Sequence, residues 1–81
     1  MREIPMAYEN GICYYLLIQE VLFEGQLLGE SYGVKLISEA GEKEEVRSVT
    51  VNQRRAFELL DLLVRNGVTP ITLWDVVQDW L

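Results

Sequence analysis

The stretch from Asn52 to Asn66 constrains this chain most, because it is the one long segment whose apolar residues recur at helical spacing. With 100° per residue and Ala56 at zero, Leu60, Val64 and Phe57 fall at about 40°, 80° and 100°. Leu63, Leu59 and Leu62 fall at about 340°, 300° and 240° on the same wheel. The apolar arc is about 220° wide, roughly twice what docking on one sheet requires. One side of this helix is expected to pack on a sheet. The flank of Leu59 and Leu62 then needs a second cover, from this chain or from another molecule. The ends are marked locally. Asn52 can accept an orphan backbone N–H as N-cap, and Asn66-Gly67 is a stop, since Gly takes the left-handed conformation readily. Arg54 and Arg55 sit against the dipole in the first turn. They are expected to pair with the acidic run Glu42, Glu44 and Glu45, the sharper alternative being an anion or an acidic partner.

Everything before the helix reads as strand. Residues 1–10 mix charge with Pro5 and read as a lead-in, ending at the Asn10-Gly11 turn signal. Residues 12–51 read as a β-meander of three strands: Ile12–Phe23, Leu27–Ser38 and Glu45–Val51. The first is rich in β-branched and aromatic residues. Turns are expected at Glu24-Gly25-Gln26 and at Glu39 to Glu42. Gly29 and Gly33 lie inside the second strand, where glycine marks a bulge or a close backbone approach. Connections this short imply antiparallel neighbours. Residues 72–81 read as a short second helix capped by Thr72, with Asp75 as a capping-box-like acid. Its apolar arc holds Leu73, Trp74, Val76, Val77, Trp80 and Leu81. It must dock to be stable, and the Leu59–Leu62 flank is a reasonable dock. The fold class is therefore α+β, a single domain ordered β-β-β-α-α, with the main helix spanning 52–66.

Composition bounds the function. Thirteen acids against seven bases give a net charge of −6, which argues against nucleic acid or an anionic membrane as a direct ligand. There is no histidine, so the usual general base and the commonest metal ligand are missing. One cysteine, Cys13, forms neither an internal disulfide nor a zinc constellation, and it is expected to be a buried thiol in a reducing, cytoplasmic setting. The longest apolar run, Ile12 to Ile18, is far short of the ~20 residues of a membrane span. Asp75 and Asp79 lie one turn apart, and an acid pair could hold a hard cation, but the EF-hand spacing is absent and a solvated face is the plainer reading. No cofactor, no metal and no enzymatic activity are expected.

Tyr14-Tyr15-Leu16, Tyr32-Gly33-Val34 and the ending Pro70-Ile71-Thr72-Leu73-Trp74-Asp75-Val76-Val77-Gln78-Asp79-Trp80-Leu81 together resemble a family of short bacterial proteins, a domain of unknown function. Its members carry an ending of the type Pro-x-x-Leu-x-Asp-Val-Val-x-Asp-Trp-Leu. The resemblance implies no catalytic residues. It implies that the ending is a motif in its own right. Gln78 departs from the pattern, where an acid is expected in many relatives.

These residues lead to a cytoplasmic protein-interaction or regulatory module, expected to be a homodimer. From Ile12 to Ile18 both strand faces are apolar, so a second copy is expected to cover Leu16 or Leu17. Leu62, Trp74, Asp75, Asp79 and Trp80 complete the candidate partner-binding set. The alternative is a small acidic inhibitor, of phage or mobile-element type, occupying a basic nucleic-acid site on an enzyme; it rests on size and charge alone.

Overall fold

The computed structural model describes all residues, 1–81. Four strands form one antiparallel sheet in the order β1 (Arg2–Glu9), β2 (Ile12–Phe23), β3 (Gln26–Ser38) and β4 (Lys43–Thr50). Two helices follow, α1 (Gln53–Arg65) and α2 (Leu73–Trp80). The α+β class holds, but the expected three-stranded meander is corrected to four strands, because the lead-in is itself a strand. Arg2 to Glu9 pairs along β2 from Ile18 to Ile12. Pro5 hid it: proline cannot donate to a ladder and is confined to edge strands and bulges, and β1 is both an edge strand and bulged at Met6.

Asn10-Gly11 and Glu24-Gly25 close their hairpins with positive φ at both central residues, 52° and 76° in the first, 51° and 78° in the second. This is the type I′ pattern whose twist suits a two-residue hairpin. The second turn strains a glutamate, since only Gly25 enters the left-handed region freely.

One sheet face carries the core. Ile12, Tyr14, Leu16 and Ile18 of β2 and Tyr32, Val34 and Leu36 of β3 are buried against Ala56, Leu59, Leu60 and Leu63 of α1 and Leu73 and Val77 of α2. Asn52 caps α1 as expected, accepting the Arg55 N–H at 3.2 Å. At the other end the Val68 N–H bonds the Leu63 carbonyl and the Gly67 N–H bonds the Val64 carbonyl, with Gly67 at φ 59°. This is the Schellman pairing. The buried Tyr14 hydroxyl then donates to the Val68 carbonyl at 3.0 Å, tying the segment after α1 to the start of β2. Burial pushes the Tyr14 phenol above its usual range. Tyr14→Phe leaves that carbonyl without a partner and is expected to cost about 1–2 kcal/mol in denaturant unfolding.

The second cover for α1 comes from this chain. Leu59 is buried and Leu62 half-buried, within a cluster that Leu73 and Val77 complete. Arg55 does not pair with the acidic run. Its guanidinium lies 4.3 Å from the Trp80 ring centroid, a cation–π contact that joins the start of α1 to the end of α2. Glu45 instead pairs with Arg47, which holds the Glu45 carboxyl below its usual range. Thr72 does not cap α2. It already lies in the αR region, and its hydroxyl turns back to Thr69.

Candidate functional site

Flanking strands of unequal length create the most distinctive surface. β1 begins opposite Ile18, at Arg2, and β4 ends opposite Tyr32, at Thr50. Ile18 and Tyr32 are themselves partners, so both flanks stop at the same row. Beyond it β2 and β3 continue alone, as a two-stranded arm of Gln19–Phe23 and Gln26–Ser31. The arm helps stretch the molecule to 42 Å along its longest axis. Its foot is braced by Arg2, which reaches across β2 to the Glu30 carboxylate at 2.7 Å.

The arm is apolar and uncovered. Leu22, Phe23, Leu27 and Leu28 are each between 59 and 65% exposed, with Val21 beside them and Val51 just past β4. Leu22 pairs with Leu27 on the side of the sheet that carries the helices, and Leu28 sits at the bulge where the register slips. An isolated ribbon of two strands is marginal in water, and large apolar side chains left exposed on both of its faces mark a contact element. The free edges of the sheet body are protected by contrast. β1 has Pro5 and its bulge. β4 has Lys43, Glu44, Glu45 and Arg47, and a second bulge with Ser48 at φ 53°.

A second apolar surface lies between β1 and α1. Met6, Ala7, Phe57, Leu60 and Val64, with Asp61 at the rim, line an open groove of about 360 Å³. Met6 and Phe57 are exposed on its walls.

The residues expected to bind a partner are scattered by the fold. Leu16 is 2% exposed under the helices and Leu17 is 1% exposed on the opposite face, so neither offers a surface to a second copy. Leu17 is covered from within. Its partner in β3 is Gly33, and the Val46–Arg47 backbone of β4 occupies the space a Gly33 side chain would take. Its partner in β1 is Glu3, which takes the Lys35 ammonium at 3.0 Å in an ion pair spanning β2. Trp74 is 51% exposed, whereas Trp80 is half-buried beneath Arg55. Asp75 and Asp79 are exposed, and no three potential metal-ligating side chains come together anywhere in the chain. Cys13 is half-buried rather than buried. No helix is long and apolar enough to cross a membrane.

A family described as of unknown function, DUF6514, matches residues 5–81. The chain belongs to this family. The DUF6514 match spans the arm, the groove and the C-terminal helix alike. No curated protein and no solved structure matches the chain.

The arm residues Val21, Leu22, Phe23, Leu27 and Leu28 escaped the reading by motif because they look like ordinary strand residues. The signal lay in lengths. Two strands of 12 and 13 residues meet flanks of 8, so part of the long pair must go unpaired.

Proposed function

We propose that this DUF6514 protein is a protein-interaction module whose contact element is the apolar β2–β3 arm. One observation carries the reading: the arm holds Leu22, Phe23, Leu27 and Leu28 in solvent beyond the sheet, with no helix or strand of the chain over them. Binding would bury those side chains and stabilise the ribbon together. A binding role, rather than catalysis, agrees with a chain that has no histidine and a single cysteine. A reducing, cytoplasmic setting agrees with the unpaired Cys13.

The test is comparative capture from source-cell lysate with tagged wild type, Phe23→Glu and Trp74→Ala. Both substituted sites are exposed, so both variants should fold. Wild type and Trp74→Ala are expected to recover the same specific proteins at moderate salt, and Phe23→Glu to lose them. Capture by Phe23→Glu equal to wild type would overturn the assignment. Capture that vanishes with modest salt for every form would favour recognition by charge, as the acidic-inhibitor alternative requires.

A further inference from the structure

Paired residues can be followed row by row from the sheet body into the arm. At the last full row, Ile18 and Tyr32 still have β1 and β4 beside them, through Arg2 and Thr50. Next comes Gln19 with Ser31, and Ser31 still reaches β4 through the Ser48 hydroxyl at 3.3 Å. After that row Glu20 stands directly opposite Glu30. Such partners share one sheet face with Cβ atoms roughly 5 Å apart, and like charges placed so oppose pairing. The following pair is Val21 with Gly29, and there β3 leaves regular strand geometry. Gly29 has φ 154°, a conformation that residues with side chains rarely adopt, and Leu28 is the extra residue of the bulge beyond it. A bulge bends its strand and interrupts the ladder. Just past the end of the flanking strands, then, a carboxylate pair and a bulge follow in immediate succession.

One group crosses this neck to oppose the repulsion. The Arg2 guanidinium donates to a Glu30 carboxylate oxygen at 2.7 Å, and the Tyr32 hydroxyl donates to the other at 3.3 Å. Glu20 is exposed and belongs to none of the ion pairs. We propose that the neck is a hinge: residues 20–30 open and close as a unit separate from the sheet body, the Glu20 charge favouring the open state and the Arg2–Glu30 pair the closed one. The body does not follow, because β1 and β4 pair along it and the helices cover one of its faces. Local opening occurs where buried apolar contacts are few, and the arm is such a place. A closed arm holds Leu22 beside Leu27 and Phe23 beside Gln26, and an open arm loses both pairings. The neck therefore sets the fraction of chains whose arm side chains are arranged for contact, through charges that lie outside those side chains.

The experiment is amide hydrogen exchange, resolved by NMR on the full chain, in wild type, Glu20→Gln and Arg2→Gln. Two sets of amides are compared: those donating within the β2–β3 ladder of the arm, and those of the same ladder between Ile12–Ile18 and Tyr32–Ser38. In wild type the arm set is expected to be at least about 100-fold less protected, by an opening that small amounts of urea leave unchanged. Glu20→Gln is expected to raise arm protection about threefold, and Arg2→Gln to lower it about twofold, with protection of the body unchanged in both. Equal protection of arm and body, falling together with urea, would show one cooperative unit and overturn the hinge. Arm protection that ignores Glu20→Gln, or a change in the body parallel to that in the arm, would overturn the control by charge at the neck. None of these outcomes depends on capture of a protein, so the hinge and the contact role of the arm fail separately.

Discussion

Gly33→Ala is expected to be the most damaging small substitution in the chain. A Cβ at Gly33 would stand 2.3 Å from the Val46 carbonyl oxygen and 2.9 Å from the Arg47 Cα. Both are backbone atoms, so no side chain can rotate away. β4 would have to lift from β3 where its bulge curls over the sheet, between the Val34–Val46 and Tyr32–Thr50 pairings. Three things go with it: burial of Val46, the hydroxyl contact between Ser31 and Ser48 at 3.3 Å, and the cover over Leu17. Overpacking costs about 1–3 kcal/mol when side chains can adjust, and a backbone clash belongs at or beyond the upper end. Against a total stability on the order of 5–15 kcal/mol, that is a large fraction. Urea unfolding of Gly33→Ala should give a sharply lowered midpoint. A midpoint within error of wild type would mean that β4 does not pass so close to β3.

Leu17→Asp and Leu22→Asp should separate completely, although they place the same change five residues apart on one strand. Leu17 is 1% exposed, with β4 passing over its neighbour Gly33 and the Lys35–Glu3 pair bridging β2 beside it. A carboxylate there is desolvated and disturbs that ion pair. Large losses, above about 4 kcal/mol, arise from unpaired charge of this kind. Leu17→Asp is expected to be largely unfolded by circular dichroism at neutral pH. Leu22 is 59% exposed on the arm, and Leu22→Asp is expected to keep the wild-type spectrum while losing association. Equal stability for both variants would contradict the inward cover over Leu17, and with it the reason for moving the contact surface from the middle of β2 to its end.

What could be read from the sequence follows the range of the forces involved. Asn52, Asn66 and Gly67 act within one helical turn, and the helix lies where they place it. The two type I′ turns are equally local, and Asn10-Gly11 and Glu24-Gly25 set the hairpins directly. β1 was hidden because Arg2–Glu9 has few β-formers of its own and is held by pairing with β2 rather than by propensity. Leu17 misled for a related reason. Its alternation correctly puts it on the face away from the helices, but its cover depends on Gly33 letting β4 pass and on Lys35 meeting Glu3 across three strands. Arg55 and Trp80 are 25 positions apart, so no periodicity links them, yet their contact accounts for a cation in the first turn of α1. The arm is a difference between strand lengths, visible once all four registers are known.

The sheet pairs every strand only with its neighbour in the chain. Such hairpins close over short separations, and chains rich in local contacts fold quickly for their size. The long-range closure comes with the helices, whose tie to the sheet through Tyr14 and Val68 spans 54 residues. Loop-closure entropy is therefore concentrated in the docking of α1 and α2 onto a sheet that its own turns can begin to assemble. For a chain emerging from the ribosome, that order is also the order of synthesis: the apolar ribbon is made before the helices that bury the strands' shared face.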